Sequence, residues 1–499
     1  MSVRYRIFYT ILAAVIALLF LGIPVKAGWL PEVLIFGPGS SYYSIQMEAD
    51  GNIVHIAFFG NGPGFLGEVG YIRSINQGQD WSDPHYFTLF YSGRTGSYPM
   101  FQKWQNKILV TWRDYGGHYH DYNIGYSISN NNGVSWTEPY YIMDPGHEGM
   151  TRISTCNFEN DIHVMFHLSD GYEHSVYYMK STDFGQNWSN EDYLFTFDYA
   201  EDGDIVAYGN YVHYFFGGWP DDTSTAELYY IRSTNAGASW SPPKVISHED
   251  GYSSRFPRAA INSDGYVGVI WKDLRRVNGD PKYGYYVTVS TDDGSGWGIP
   301  VRATANTDFG TNKEITWKGD TLYIAWQARS DFWIPYYRIF YRYSKNLGLS
   351  WSAADTIDSY YIYHSEYPDI AASEGQLYAV WVDDRYIEDE SGMYFSRYEE
   401  ESTVTENYPQ AAGLFELDIH PNPFNSSLTI SYRDIGSNEI EIYNIMGQMI
   451  RSFPVGDGTR GQITWDGEDC GGNLISSGIY YIRISRDNKS ISKKVLFLK

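Results

Sequence analysis

The sequence predicts an all-β protein that contains a long repeat followed by a smaller C-terminal β module. Aromatic residues make up 18% of the 499 residues, with 47 Tyr and 16 Trp, and aromatic side chains favour strands. An octapeptide pattern also recurs at nearly constant spacing over most of the chain, which is typical of repeat architectures. Because the chain is longer than one hydrophobic core usually serves, we expect at least two folded parts.

The charge balance limits the kinds of partner. The chain has 36 Lys and Arg against 60 Asp and Glu, which gives a formal charge of −24. This charge repels polyanions at long range, so nucleic acid is not expected as a partner. Cys156 and Cys470 are the two cysteines and fall in different parts of the chain, so no disulfide framework is predicted. No cofactor and no metal site are predicted.

The N-terminus has the pattern of a secretory signal peptide. Arg4 and Arg6 precede an apolar run over residues 7–24, and Val25-Lys26-Ala27 fits the small-residue rule at a cleavage site. We predict a signal peptide over residues 1–27, with cleavage after Ala27 and no integral membrane span in the mature chain. The alternative is an uncleaved anchor, because the apolar run approaches the shortest transmembrane length.

The repeated octapeptide has the form Ser-x-Asp/Asn-x-Gly-x-x-Trp. Its six copies begin at Ser74, Ser129, Ser181, Ser233, Ser290 and Ser344, at spacings of 55, 52, 52, 57 and 54 residues. In a turn between antiparallel strands, the Asp or Asn side chain accepts backbone N–H groups, and the Gly adopts a positive φ that other residues resist. The Trp is expected to fold back as an apolar plug.

This octapeptide resembles the Asp-box, or BNR repeat, of the sialidase superfamily. The resemblance covers about residues 29–398 and implies a sialidase-like β-propeller. In that family the box joins the third and fourth strands of a four-stranded blade, on the face away from the active site. The boxes are therefore expected to be structural.

The number of blades follows from the other strands. Seven aromatic-rich strand pairs recur, at residues 43–59, 98–112, 152–166, 204–216, 256–271, 313–326 and 367–381. The seventh lacks a box and a fourth strand of its own. The segment Trp29–Phe36 is similar to the segments that follow the boxes, so its pairing with the last blade would close the ring. We predict seven blades over residues 28–398, with the six blades of the sialidases as the alternative.

The C-terminal part begins after an acidic, polar segment at residues 399–413, which we interpret as a linker. Residues 414–499 contain the segments His420-Pro-Asn-Pro-Phe424, Ser477-Gly-Ile-Tyr-Tyr481 and Lys493–Lys499. They resemble the type A C-terminal sorting domain of the type IX secretion system, an immunoglobulin-like β-sandwich. The resemblance implies Sec export, the type IX secretion machinery as a partner, and a secreted or outer cell-surface location. An adhesion or spacer sandwich is the alternative.

The sialidase resemblance also implies a site, made of three arginines around a carboxylate, a Tyr nucleophile paired with a Glu, and an Asp acid. The candidate catalytic residues are Asp114, Glu314 and Tyr367. The candidate substrate-binding residues are Arg152, Arg255, Arg258, Arg329, Trp219 and Trp333. Guanidinium groups bind carboxylates bidentately, and the flat Trp rings stack on sugars. The family's Arg-Ile-Pro motif is not found before the first box, and Arg255-Phe-Pro257 is a partial match at a later position.

Two further motifs occur in the sequence. A Trp-x-Asp-x-Arg pattern occurs at residues 271–275 and again at residues 381–385, and its repetition in two blades favours a scaffold role. His118 and His120, with nearby aspartates, lie in a polar loop without a diagnostic metal spacing, so a solvated loop is favoured.

The sequence is compatible with three functional hypotheses. The first is a secreted propeller that binds an extracellular glycan or another polymer. The second is a glycoside hydrolase or polysaccharide lyase. The third is a structural adhesion or surface protein. An ordered group of arginines and paired carboxylates at the channel mouth would favour an enzyme, whereas an aromatic mouth without such groups would favour binding.

Overall fold

The structure is a computed structural model. It describes residues 28–497 apart from 41, 61–66, 88–94, 116–121, 143–148, 170–172, 220–224, 249, 275–283, 305–311, 330–335, 360–363, 374, 388–389, 400–415, 421–423, 434–438, 445–447, 456–459 and 487–488. The chain divides into two compact units, Met1–Ser402 and Thr403–Lys499. The predicted signal peptide, with its cleavage site, lies outside the described residues. The described part of the chain contains no helix that is both long and apolar enough to cross a membrane.

The described residues of the first unit form strands β1 to β29. The N-terminal strands are β1 (Gly28–Trp29) and β2 (Val33–Ser40). The first blade contains β3 (Tyr42–Asp50), β4 (Ile53–Gly60), β5 (Glu68–Ser74) and β6 (His85–Tyr86), and the second contains β7 (Thr95–Trp104), β8 (Lys107–Tyr115), β9 (Tyr122–Ser129) and β10 (Tyr140–Tyr141). The third contains β11 (Met150–Phe158), β12 (Asp161–Ser169), β13 (His174–Ser181) and β14 (Asp192–Phe197). The fourth contains β15 (Tyr199–Tyr208), β16 (Tyr211–Trp219), β17 (Glu227–Ser233) and β18 (Lys244–Val245).

The remaining blades have the same strand order. The fifth contains β19 (Ser254–Ile261), β20 (Val267–Asp273), β21 (Gly284–Ser290) and β22 (Val301–Arg302). The sixth contains β23 (Lys313–Lys318), β24 (Thr321–Arg329), β25 (Tyr337–Ser344) and β26 (Asp355–Thr356). The seventh contains β27 (Ser365–Ser373), β28 (Gln376–Ile387) and β29 (Glu390–Glu399).

The seven sheets form a closed ring. Neighbouring strands within each sheet pair antiparallel. The first strand of every sheet contacts the first strand of the next sheet, and β27 contacts β3. These first strands are therefore innermost, around a central channel. The predicted all-β fold and the preferred number of seven blades are confirmed, because each of the seven strand units forms a sheet of its own.

The N-terminal strands complete the seventh blade. Both β1 and β2 pair with β29, with Trp29 opposite Tyr398 and Val33 opposite Phe395. The prediction that the segment from Trp29 to Phe36 pairs with the last blade is therefore confirmed. This pairing joins the two ends of the unit and covers an edge that would otherwise be open.

The six octapeptides form turns with one hydrogen-bond pattern. In the fourth blade, Ser233 Oγ accepts from Gly237 N at 2.8 Å and donates to Asn235 Oδ1 at 2.8 Å. Asn235 Oδ1 also accepts from Ser239 N at 2.9 Å. The turn glycines Gly78, Gly133, Gly185, Gly237, Gly294 and Gly348 have φ between 74° and 84°. The expected positive φ is thus present at all six positions.

Each turn also packs against the preceding blade. The ring centroid of Trp240 lies 5.0 Å from that of Tyr178 in the third blade. A Cβ atom on Gly237 would lie 1.8 Å from the Tyr178 hydroxyl oxygen. That hydroxyl is 2.7 Å from Nδ1 of the buried His163. The turns therefore connect neighbouring blades in addition to reversing the chain.

The second unit is a two-sheet β-sandwich. One sheet contains β30 (Glu416–His420), β31 (Leu428–Arg433) and β34 (Arg460–Trp465), and the other contains β32 (Glu439–Asn444), β33 (Met449–Pro454), β35 (Gly478–Arg486) and β36 (Lys489–Phe497). Trp465, Phe424 and Phe497 lie together in its core. The ring centroid of Phe424 lies 5.4 Å from that of Trp465 and 4.8 Å from that of Phe497. The final strand thus contributes directly to the core.

Candidate functional site

A cavity of about 740 Å³ opens at one end of the central channel. All seven innermost strands contribute lining residues near their N-terminal ends, and the second blade adds residues from β8 and β9. In an antiparallel blade, the start of the first strand and the end of the second lie at one face. The octapeptide turns follow the third strands and lie at the opposite face. We call the face with the cavity the mouth face.

The described lining of the cavity is rich in cations. Arg113, Arg152, Arg258 and Lys313 all line it, and Glu314 is the one carboxylic acid among the described lining residues. This local excess of positive charge contrasts with the formal charge of −24 for the chain. An anionic ligand in this cavity would therefore be close to several cationic side chains.

Three aromatic residues reach the cavity from strained backbone positions. Tyr98, Phe256 and Tyr367 have φ of 51°, 55° and 52°, and each precedes a proline at a register irregularity in an innermost strand. Bulky residues rarely adopt positive φ, at a cost on the order of 1–3 kcal/mol. Such strain persists only where the surrounding structure imposes it, so the surrounding structure holds the backbone at these three positions.

Two of the cavity arginines stack on one of these rings. The guanidinium carbon of Arg152 lies 4.2 Å from the centroid of the Tyr98 ring, and that of Arg113 lies 5.1 Å from it. Arg113 also lies 5.5 Å from the ring centroid of Tyr122. Stacking on a flat ring limits the orientations of a guanidinium group. The ring of Tyr98 thus brings two guanidinium groups together at one side of the cavity.

A mixed charge cluster occupies another side. Arg258 Nε donates to Glu314 Oε1 at 3.1 Å, and the adjacent Lys313 donates through Nζ to the Phe256 carbonyl. Burial raises the pKa of the Glu314 carboxyl group, and the nearby Arg258 charge partly opposes this rise. Burial also lowers the pKa of Lys313, and the charge of Arg258 lowers it further. The cluster therefore contains two groups whose proton affinities are moved towards neutral pH.

The structure brings together four of the residues predicted from the sequence. Arg152, Arg258, Glu314 and Tyr367 all line the cavity. Arg255 lies beside it, with its guanidinium carbon 5.0 Å from the Trp219 ring centroid and 4.8 Å from that of Phe256.

The remaining predicted residues are not among the described lining residues. Arg329 stacks on Tyr337 at 5.1 Å and is not in the cavity lining. Trp333, His118 and His120 lie outside the described residues. In the part of the chain that the structure describes, no group of three or more His, Cys, Asp and Glu side chains could hold a metal ion.

Asp114, the candidate acid, is buried within its blade and not in the described cavity lining. Its side chain is fully buried and accepts from Trp112 Nε1 at 3.4 Å. Asp114 lies two positions after the fully buried Trp112. Asp273 and Asp383 likewise lie two positions after a fully buried Trp in the fifth and seventh blades. The three aspartates share this position near the end of a second strand, so its repetition indicates a scaffold role, and the acid role of Asp114 stays a prediction.

Three lining residues, Arg113, Lys313 and Tyr98, were not predicted from the sequence. Arg113 and Lys313 are each adjacent in sequence to a predicted residue, but no motif distinguished them. The recurring aromatic-proline pairs at residues 98–99, 256–257 and 367–368 were the available signal for Tyr98. This signal becomes meaningful once the three pairs are known to meet around one cavity.

Comparisons with known proteins agree with both units of the fold. The polysaccharide lyase Uly1 matches with 13% identity and a TM-score of 0.51, covering 72% of this chain and 90% of that one. An ulvan lyase, described as a new family of polysaccharide lyase, PL25, matches with 12% identity and a TM-score of 0.51, covering 73% and 95%. At these identities the likeness concerns the fold alone. A comparison with curated protein sequences gave no match.

The second unit matches a sequence family. Residues 418–497 match the secretion system C-terminal sorting domain, which agrees with the β-sandwich over the same residues. The domain marks the chain for export. The chain therefore combines a seven-bladed β-propeller with a C-terminal β-sandwich that matches the secretion system C-terminal sorting domain.

Proposed function

We propose that this protein is exported to the cell surface or the medium and binds an acidic polysaccharide at the mouth of its propeller channel. The observation that carries this proposal is the cavity lining, in which Arg113, Arg152, Arg258 and Lys313 accompany the aromatic rings of Tyr98, Phe256 and Tyr367. Acidic sugars present a carboxylate or sulfate next to an apolar ring face. The lining offers a complementary group for each of these features.

The arginines provide charge and geometry. A guanidinium group matches a carboxylate with two parallel hydrogen bonds. Arg113 and Arg152 share the Tyr98 ring, so little side-chain freedom is left to lose on binding. Because the chain as a whole is acidic, selectivity for an anionic ligand depends on this local group of cations.

A polysaccharide lyase is the second candidate function. In a lyase acting on a uronate, a base removes the proton beside the carboxylate, the C–O bond to the next sugar breaks, and the leaving oxygen takes up a proton. Cations that neutralise the carboxylate make this proton more acidic. Lys313 combines a lowered pKa with a place in the lining, so it suits the role of base, with Tyr367 as the alternative. The two solved structures reported above are also polysaccharide lyases.

Hydrolysis has less support from the described residues. A mechanism with two carboxylic acids requires a pair flanking the glycosidic bond, whereas Glu314 is the one such group in the described lining. A sialidase-like mechanism would use Tyr367 with Glu314 and a separate acid. Asp114 does not line the described cavity, so the described lining residues include no separate acid for this assignment.

The test is a panel of polymers presented to the purified chain. Polygalacturonate and alginate are the acidic members, and dextran is the neutral control. Retention is measured by affinity electrophoresis, and lyase activity is measured by the ultraviolet absorbance of the unsaturated product. We expect retention of at least one acidic polymer and none of dextran, with retention that weakens as salt increases.

Variants assign the effect to the cavity. Arg152→Gln and Arg258→Gln should each weaken retention about tenfold, as expected for loss of a charged hydrogen bond. Lys345→Gln is the matched control, because Lys345 is exposed and lies in the sixth octapeptide turn at the opposite face. Product that disappears in Lys313→Met would establish the lyase. Equal retention of dextran, or no retention of any polymer, would overturn the proposal and leave the structural adhesion hypothesis.

A further inference from the structure

Three aromatic rings and one guanidinium group form a row that extends from the cavity over the fourth blade. The row consists of Phe256, Arg255, Trp219 and Tyr199, and we call it the outer row. Arg255 lies between two rings, with its guanidinium carbon 4.8 Å from the centroid of Phe256 and 5.0 Å from that of Trp219. The Trp219 and Tyr199 centroids are 4.8 Å apart, with their planes at 83°. Successive members are therefore in direct contact.

The topology places the whole outer row on the mouth face. Tyr199 begins β15 and Trp219 ends β16, and the two residues are paired across the sheet. Arg255 and Phe256 follow the first residue of β19 in the next blade. Phe256 also lines the cavity, so the outer row and the cavity share a residue and form one continuous surface.

The far end of the outer row is open to solvent. The Tyr199 side chain is 48% exposed, although its ring is supported by the buried His174 at a centroid distance of 4.5 Å. An exposed aromatic ring held by a buried neighbour provides apolar contact area without a large loss of side-chain freedom on binding. Arg255 adds a cation at the middle of the outer row.

We propose that the outer row is a second binding subsite, which holds further sugar units of the acidic polysaccharide whose first units occupy the cavity. This inference rests on the proposed function and extends it to chain length. Tyr199 and Trp219 provide the surfaces on which sugar rings pack, and Arg255 binds the anionic group of a unit outside the cavity. The protein thereby recognises a polymer rather than a single acidic sugar.

The chemistry of the outer row favours this ligand over a protein segment. Two common modes of peptide docking use an apolar groove or an unpaired strand edge. Here the backbone of β16 is paired on both sides, by β15 and β17. The alternation of aromatic rings with a guanidinium group instead matches a chain of sugars that carries repeated negative charges.

The experiment measures affinity against oligomer length by isothermal titration calorimetry, using galacturonate disaccharide, tetrasaccharide and hexasaccharide. For the unmodified chain we expect the affinity to rise about tenfold between the disaccharide and the hexasaccharide. Tyr199→Ala should lower the hexasaccharide affinity about two- to tenfold, as expected for the loss of one ring contact. It should leave the disaccharide affinity unchanged, because Tyr199 is outside the cavity.

Two further variants test the chemistry and the fold. Arg255→Gln should lower the affinity for the hexasaccharide and reduce the salt dependence of that affinity. Trp219→Phe should retain most of the affinity that Trp219→Leu loses. Tyr140→Ala is the matched control, because Tyr140 is 50% exposed but lies on the outer strand of the second blade. It should behave as the unmodified chain.

The outcomes separate this inference from the proposed function. The outer-row subsite would be overturned if affinity did not depend on oligomer length. It would also be overturned if the variants lowered the disaccharide affinity as much as the hexasaccharide affinity. Neither result would affect the assignment of the cavity. If alginate oligomers bind and galacturonate oligomers do not, the same length series is run with alginate oligomers and judged by the same criteria. If no acidic oligomer or polymer binds, the proposed function and the outer row are both overturned.

Discussion

The guanidinium carbon of Arg152 in the third blade lies 4.2 Å from the ring centroid of Tyr98 in the second blade. The backbone of Tyr98 has a φ of 51°. A strained residue in one blade therefore positions a charged residue of the next. This relationship makes the cavity dependent on backbone geometry as well as on the identity of its charges.

The first prediction separates the ring of Tyr98 from its backbone conformation. Tyr98→Asn should keep the fold, because Asn tolerates positive φ better than most residues, but should weaken acidic-glycan binding about three- to tenfold through the lost stacking of Arg152. Tyr98→Phe keeps the ring and should bind as the unmodified chain. Both are measured by titration calorimetry, and equal losses in the two variants would show that the hydroxyl group matters instead.

The second prediction concerns the octapeptide turns. Gly237→Ala should lower the thermal unfolding midpoint strongly, because its φ is 84° and the new Cβ would lie 1.8 Å from the Tyr178 hydroxyl oxygen. Gly209→Ala is the matched control, with a φ of 58° and no atom within 4 Å of the new Cβ. It should cost only about 1–2 kcal/mol for the positive φ itself. Similar losses in both variants would contradict a role of the glycine in contact between blades.

The third prediction concerns closure of the ring. Arg385 donates to Asp383 at 2.8 and 2.7 Å and forms an ion pair with Glu32 at 2.6 Å, next to the strand that completes the seventh blade. Arg385→Met leaves two largely buried carboxylates without this cation, which should cost about 3–5 kcal/mol.

Hydrogen exchange locates this effect. The amides of β2 and β29 should exchange faster in Arg385→Met than in the unmodified chain. Lys345→Met, which removes an exposed cation, serves as the control and should leave this exchange unchanged. Faster exchange spread evenly over all seven blades would contradict a local role for Arg385.

The fourth prediction is a pH dependence of stability. Burial lowers the pKa of His213 from 6.5 to about 3, and its Nδ1 atom is 2.7 Å from the Tyr230 hydroxyl oxygen. The unfolded chain therefore takes up a proton at this residue below about pH 6.5, whereas the folded chain stays neutral until near pH 3. Neutral His213 therefore contributes to the free energy of unfolding above about pH 6.5. This contribution is lost as the pH falls towards about 3.

The measurement compares the unmodified chain with His213→Gln by denaturant unfolding. Between about pH 7 and about pH 5, the unmodified chain should lose about 2 kcal/mol more than the variant. Circular dichroism at neutral pH checks that the variant is folded. The same loss in both proteins would show that His213 does not contribute to the acid sensitivity.

The fold was predictable because its determinants are local and repeated. Each octapeptide contains the serine, the amide or carboxylate, and the glycine that its own turn requires. The seven strand pairs gave the number of blades, and the likeness of Trp29–Phe36 to the outer-strand segments gave the ring closure. No long-range information was needed for these steps.

The site was predictable only in part. Arg152, Arg258, Glu314 and Tyr367 were selected by residue type and do meet in one cavity. Asp114 was selected by the same reasoning but is fully buried and is not among the described lining residues. Asp114 follows Trp112 at the same spacing as Asp273 and Asp383 follow their Trp residues, but Gly116 stands where the Trp-x-Asp-x-Arg pattern has Arg, so that pattern by itself did not group Asp114 with the other two.

The sequence by itself determined the architecture: an all-β repeat of seven units, the turns that connect their strands, and a C-terminal module for export. These properties depend on contacts between residues that are close in sequence or equivalent in successive repeats. The tertiary structure decided which residues share the cavity, because Tyr98, Arg258 and Tyr367 come from the second, fifth and seventh blades and meet only after the ring closes. It also decided that Trp219 and Arg255 extend that cavity outward, since their stacking joins two blades that no local pattern connects.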